Sequence, residues 1–455
     1  MELILRLENK MKKFNRHISF ILFCTALILG GLGQAHAFFG VVRKPPKFIL
    51  SFNFPANFPG QENYITSLVQ RFEKENPEIR VKVNPIFPKP PKNAFNVASE
   101  VFLEDVKSGH PPSIVALSAS DLFELTDLDI VANLNQFIKT DDDKAWLNAF
   151  DPNLMRNSKI KDRIYSAPLV RGVGVMMWNK KLFKEAGLDP NVPPKTLNEL
   201  VEFGKKLIVK NEKGEVVQWG FELYSDSNLR YSLLLLASGN GSVTTFNSLG
   251  NKTNYAAPRV IDALETWYNF SATDKIMPPG IIPSATLNKD FTDQKTAIIW
   301  QSSGAIIGIK KSASFPVGVG TIPGKTNMTG VISGSNLYIS KDQPLDKQKA
   351  AFKFIQWITQ AEISADILIN NGAGLARPDG KSADYFKANI ANFPEANIII
   401  DSLKVAVPEV TLHKQQAGLE LETPYLQSVI KGEVPAKKAL NELQVKYEEL
   451  LKDFN

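Results

Sequence analysis

Four short polar clusters stand where strand-like runs end: Asn53, Ser118 with Ser120, Ser302-Ser303-Gly304, and Ser333-Gly334-Ser335-Asn336. Hydroxyls, an amide and glycine-exposed backbone N–H groups are what a cleft needs to fix a polar solute by hydrogen bonds. The same residues after a strand also build turns, which is the plainer reading of any one cluster. Trp178, Trp219 and Trp300 offer flat faces on which a sugar ring could stack, and Tyr224 adds a phenol. Trp300 is favoured among them because one residue separates it from Ser302. Arg171 is the sharpest single candidate: a guanidinium there could grip an anionic or vicinal-hydroxyl group with two parallel bonds, or lock the backbone around it. All of this is recognition chemistry.

Bond-breaking chemistry finds less support. Downstream of residue 37 only His110 and His413 could anchor a zinc site or a histidine-activated nucleophile, and Cys24 is the sole cysteine. Neither Gly-x-Ser-x-Gly nor His-Glu-x-x-His occurs. Gly318 to Thr326 nearly imitates a phosphate loop, but Val319 stands where the first glycine belongs and Pro323 removes a backbone donor. The rival class is an exported glycoside hydrolase, with Asp121, Glu124, Glu222 and Asp226 as acids. That chemistry needs two facing carboxyls roughly 5–10 Å apart. The expectation is therefore no catalytic residue, no metal and no cofactor.

The elements that must position these groups alternate along the chain. Phe48 to Phe52 is a short apolar run; Ile65, Leu68, Val69 and Phe72 share a helix face; Ile79, Val81 and Val83 alternate as in a half-buried strand. A helix near Ala98 to Lys107 leads to the buried-strand run Ser113 to Leu117. This order predicts an α/β fold with a mainly parallel sheet. Thr196-Leu197-Asn198-Glu199 reads as a capping box opening a long helix.

The first 37 residues read as a secretory leader: a basic stretch from Lys12 to Arg16, an apolar stretch from Ile18 to Leu32, and Ala35-His36-Ala37 as the cleavage site. The apolar part, about 15 residues, is short for a bilayer-spanning helix, which needs roughly 20. Residues 1–37 hold five of the 53 basic and two of the 47 acidic residues, which leaves 48 against 45. The remaining surface is thus mixed in charge, with scattered basic pairs rather than the clustered Lys and Arg of a nucleic-acid binder. Its length suggests two or three domains.

The stretch Ile164-Tyr165-Ser166-Ala167-Pro168-Leu169, then Met177-Trp178-Asn179-Lys180, then Phe183 to Pro190 and Pro193-Pro194-Lys195-Thr196, resembles the solute-binding proteins of bacterial ABC importers, family 1. Phe72 to Pro77, Phe291 to Ile298, Ser302-Ser303-Gly304, Val317 to Gly324, Ser333 to Ile339 and Ala350 to Ile358 follow in that family's order. The resemblance implies two discontinuous α/β lobes, periplasmic-binding-protein-like of type II, with the ligand cleft between them. It places lobe 1 at 38–170 plus 297–332 and lobe 2 at 171–296 plus 333–455, with crossings near Val170-Arg171-Gly172 and Val331-Ile332-Ser333. It implies a monomer in the periplasm that captures a carbohydrate- or polyol-type solute, phosphorylated or not, and delivers it to inner-membrane ABC permease subunits.

The chain departs from the glycerol-3-phosphate binders of that family. Their glutamate after the second buried strand falls near Ser118-Ala119, their serine pair at the first crossing is replaced around Arg171-Gly172, and their Gly-Tyr-Leu-Pro segment resembles Gly372-Ala373-Gly374-Leu375. Their C-terminal arginine is missing near Gly418-Leu419. The ligand-binding set expected here is Asn53, Ser118, Ser120, Arg171, Tyr224, Trp300, Ser302, Ser303, Gly304, Ser333, Gly334 and Ser335.

Overall fold

Ile65, Leu68, Val69 and Phe72 form the buried face of a helix, Gln61–Glu75, and Asn76 closes it by donating its Nδ2 to the Phe72 carbonyl at 3.0 Å. The computed structural model describes residues 45–56, 61–89, 94–239 and 249–454. The chain divides into a short unit, Met1–Lys47, and a large one, Phe48–Asn455. The expected leader, 1–37, lies outside the described residues. Among the described residues no helix is long and apolar enough to cross a membrane.

The large unit is organised by strands β1 (Phe48–Pro55), β2 (Ile79–Ile86), β3 (Ile114–Ser118), a hairpin of β4 (Lys159–Ile160) and β5 (Arg163–Ile164), β6 (Ala167–Asn179), β7 (Val209–Lys210), β8 (Val216–Glu222), β9 (Thr296–Ser302), β10 (Val317–Thr321), β11 (Val331–Ile339) and β12 (Val407–Pro408). All but the β4–β5 hairpin join one sheet in the order β2-β1-β3-β11-β6-β9-β8-β7, with β10 also on β6 and β12 on β11. β1 runs parallel to β2 and β3, and β8 runs parallel to β9. The pairs involving β6 with β9, β10 and β11 are antiparallel, so the sheet is mixed rather than mainly parallel.

β6 and β11 each serve two cores. β6 pairs with β11 from Ala167 to Val173, then with β9 from Gly174 to Trp178 and with β10 from Val175 to Asn179. Ala167 lies in a core with Phe52, Phe72, Leu337 and Phe354, whereas Met176 and Trp178 lie in another with Phe221, Trp267 and Trp300. β11 likewise starts in the second core at Val331 and ends in the first at Leu337 and Ile339. Side chains of alternate parity on each section fill further cores, with Val115 and Tyr338 on one section and Val175 and Met177 on the other. Each section is therefore a sheet covered on both faces, as strands with near-continuous apolar runs require.

β9 and β10, within 297–332, pair with the second half of β6. Helix Leu345–Ile358 buries Phe352, Phe354 and Ile355 in the core shared with β1. The first of these segments thus shares a section with the second half of β6 and the other shares one with β1, a placement that chain order alone does not give because strand pairing is non-local. The capping box shifts. Thr196 Oγ1 accepts from Glu199 N at 3.1 Å, but Glu199 reaches back to Lys195 N rather than to its own cap.

Candidate functional site

Where β6 exchanges β11 for β9, three of the predicted hydroxyls meet. A Cβ built on Gly172 would stand 3.1 Å from Ser333 Oγ, 3.5 Å from Ser302 Oγ and 3.8 Å from Ser303 Oγ. Strand register brings this about: Gly172 pairs with Ser333 and Gly174 with Ser302. Ser303 is fully buried and accepts from Val173 N at 3.4 Å, whereas Ser302 and Ser333 are half-buried. Any side chain at 172 would fill this space, so glycine there is a matter of room.

Two groups not in the expected set complete the cluster. Tyr231, on helix Leu229–Ser238, donates its hydroxyl to the Val331 carbonyl at 2.9 Å, and the Ser333 hydroxyl and Gly174 N–H face it, while burial pushes its pKa well up. Glu409 follows β12, its N–H donating to the Ile332 carbonyl at 3.1 Å and its carbonyl accepting from Asn157 Nδ2 at 3.0 Å. Its Oε2 is inaccessible to solvent and has no hydrogen-bond partner among the described residues. Burial, then the charge of Asp121, pushes its pKa up to about 8, against the pull of Arg230 and Arg171. Only the isolated acid between Val407-Pro408 and Val410 marks it in the sequence, and a two-residue strand leaves no periodicity to flag it.

The second polar group belongs to the end of β3. Ser118 Oγ lies 2.8 Å from Ser120 Oγ and accepts from Ser120 N at 3.4 Å, and Ser118 pairs with Ser335 on β11. Asp121 accepts from Ser99 Oγ at 2.7 Å, and burial pushes its pKa up to about 7. Tyr224, nearly buried, feels Glu409 and Asp226, and burial pushes its phenol up to about 12.

Other expected residues have different employment. Arg171 is 1% exposed, and its five N–H donors go to Leu154 O twice, to Val170 O, to Ser335 O and to Asn336 Oδ1 at 2.8–3.2 Å. A guanidinium has five donors, so none is left for a solute, and Arg171 locks the crossing instead. Trp300 is 1% exposed and packs edge-on against Phe221 at 5.2 Å, inside the core. Asn53 donates to Asp105 Oδ2 and accepts from Asn84 Nδ2. Gly334 packs on the Val170 carbonyl, Ser335 is buried with its carbonyl on Arg171, and Gly304 is exposed, donating its N–H to Ser302 Oγ. Gly374 bridges to Arg171, which lays the 372–375 segment beside the crossing. Gly418 packs on Tyr447 and Arg230, leaving no room there for a longer side chain.

Of the acids expected of a hydrolase, Asp226 caps helix Ser284–Thr292 by accepting from Ser284 N at 2.9 Å. Glu124 accepts from Gln416 N at 3.2 Å. Glu222 is buried, pushed up to about 8 by burial and by Asp290. The two sheet sections also touch through helix Leu122–Asp127: His413 Nδ1 lies 2.7 Å from Asp127 Oδ2, and the His413 ring sits 4.5 Å from that of Phe123 and 4.0 Å from that of Phe454.

Comparisons place this architecture among known proteins. Residues 56–365 match the family model for bacterial extracellular solute-binding proteins. The sn-glycerol-3-phosphate-binding periplasmic protein UgpB of Salmonella typhimurium is 22% identical over 310 residues, covering 66% of this chain and 68% of that protein. UgpB from Mycobacterium tuberculosis, solved in complex with glycerophosphocholine, superposes with a TM-score of 0.75 at 18% identity, over 90% of this chain and 99% of that one. The substrate-binding protein Lmo0181 from Listeria monocytogenes, solved in complex with cycloalternan, gives 0.73 at 21%, over 89% and 99%. The fold is that of a type II periplasmic binding protein, α/β in two lobes.

Proposed function

Because the chain belongs to the bacterial extracellular solute-binding protein family, we propose that it captures a small polar solute of carbohydrate or polyol type and hands it unchanged to a membrane ABC permease. The solute lies against the hydroxyls around Gly172, with Tyr231, Tyr224, Ser118 and Ser120 near it. One lobe is carried by β1–β3, the start of β6 and the end of β11, and the other by the remainder. The observation that carries the reading is the convergence of Ser302, Ser303 and Ser333 on Gly172, at the point where β6 passes from one core to the other. A solute there touches both lobes and favours the form in which they are closed, so that binding shifts a hinge equilibrium. The leader-like segment and the relatives' periplasmic location support a periplasmic location.

Native mass spectrometry of the protein purified without denaturation tests this. A bound small polar solute of unchanged mass, displaced on unfolding and rebound in calorimetry at one per protein, is the expected result. Accumulation of a cleaved product on incubation would make the protein a hydrolase.

A further inference from the structure

The ionisable group left unpartnered beside the cluster is a carboxyl. Glu409 Oε2 is buried with no partner among the described residues, on the residue just past β12 whose N–H donates to the carbonyl of Ile332, the neighbour of Ser333. The charged and titratable groups felt at Glu409, or feeling it, are Asp121, Tyr224, Tyr231, Arg171 and Arg230. Both arginines are engaged elsewhere. Arg171 has no donor left over. Arg230 is ion-paired with Glu422 at 2.8 Å and also donates to Gln415 and Tyr447. A buried acceptor without a donor is costly to leave so, and a carboxyl without a cation cannot neutralise an anion brought against it.

We propose that Glu409, seconded by Asp121, makes this site take a solute that brings hydrogen-bond donors and no negative charge, and makes it reject phosphorylated solutes. The inference rests on the solute-binding reading and narrows it. A hydroxyl or an ammonium group of the solute donates to Glu409 Oε2, whereas a phosphate would face two carboxyls while the Arg171 and Arg230 guanidiniums are held by protein groups. Because Asp121 and Glu409 ionise between about pH 6 and 9, rejection strengthens as pH rises through that window.

The test is calorimetric titration of the solute-stripped full protein at pH 6 and pH 9. Three arms are used: neutral sugars and polyols including glycerol, their amino-sugar counterparts, and their phosphorylated counterparts including glycerol 3-phosphate. Wild type is compared with Glu409→Gln and with Glu409→Gln/Asp121→Asn. The expected result is saturable binding in the neutral or the amino arm, with the phosphorylated partner at least about a hundredfold weaker at pH 9. The double variant should narrow that gap by about tenfold or more, and cooperative thermal unfolding confirms that it is folded. The amino arm identifies an ammonium as the donor if Glu409→Gln weakens it much more than the neutral arm. A phosphorylated solute that binds as tightly as its parent, or a gap that the double variant leaves unmoved, overturns the inference while leaving the binding reading intact. Failure of every arm, with nothing co-purifying, overturns the binding reading and the inference with it.

Discussion

Arg171 Nη2 donates to Asn336 Oδ1 at 2.8 Å, and Asn336 in turn donates to the Asn157 carbonyl at 2.6 Å and to Ser166 Oγ at 3.0 Å. The two crossing strands, β6 and β11, are thus fastened by side chains as well as by their ladder. Burial lowers the Arg171 pKa to about 10, which still leaves it charged at neutral pH. Carbonyl and amide dipoles rather than an acid compensate that charge.

Replacing Arg171 with Ala strands its acceptors in the interior and should cost about 3–5 kcal/mol of stability. Denaturant titration reads this as a lower midpoint at unchanged slope. Arg171→Lys keeps the charge but not the fork, and should recover only part of the loss. A variant whose stability is unaltered but whose solute affinity collapses would instead make Arg171 a ligand contact.

Gly172 separates contact from scaffold. Gly172→Ala puts a methyl 3.1 Å from Ser333 Oγ, a crowding that one hydroxyl rotation relieves, and should weaken binding by about tenfold or less. Gly172→Val fills the space among the three hydroxyls and should abolish measurable binding. Circular dichroism and thermal unfolding check that both variants remain folded.

The contact between Asp127 and His413 joins the two sheet sections at a partly exposed position, with side-chain exposures of 29% and 15%. Asp127→Ala should loosen the closed form by about 0.2–1 kcal/mol, an increase in Kd of about fivefold or less. The increase should appear in the dissociation rate, read by stopped-flow fluorescence. An unchanged dissociation rate would show that the pair closes nothing.

Stability should fall with pH. Asp121 and Glu409 titrate near 7 and 8 in the folded protein, above their values near 4 in an unfolded chain. The folded state therefore holds more protons between those limits, and stability declines from about pH 4 until both groups have ionised above about pH 8. The melting temperature of the solute-free protein, followed from pH 5 to pH 9, should drop along that course. Glu222, also pushed up to about 8, adds to the fall, so Glu409→Gln should make it shallower by one group's share rather than remove it.

Much of this was legible in the residues. The face Ile65, Leu68, Val69, Phe72 is a helix because its period leaves no alternative, and Ser302, Ser303 and Ser333 stand at or near strand ends where cleft residues gather. Trp300 shares its parity with Ile298, which turns it into the core, and its nearness in sequence to Ser302 does not show this. Arg171 admitted two readings, since carbonyls of Leu154, Val170 and Ser335 leave no mark in a sequence. Glu409 was invisible for a related reason. Its place beside Ser333 comes from a two-residue strand that docks on β11 from the far end of the chain, and only tertiary structure supplies that neighbour.

Small-angle scattering of the solute-stripped protein, titrated with the solute that co-purifies with it, bears most directly on capture between two lobes. The radius of gyration should fall and level off at one solute per protein, and Gly172→Val should show no change under the same titration. A radius that stays constant while calorimetry reports full occupancy would contradict closure around the Gly172 cluster.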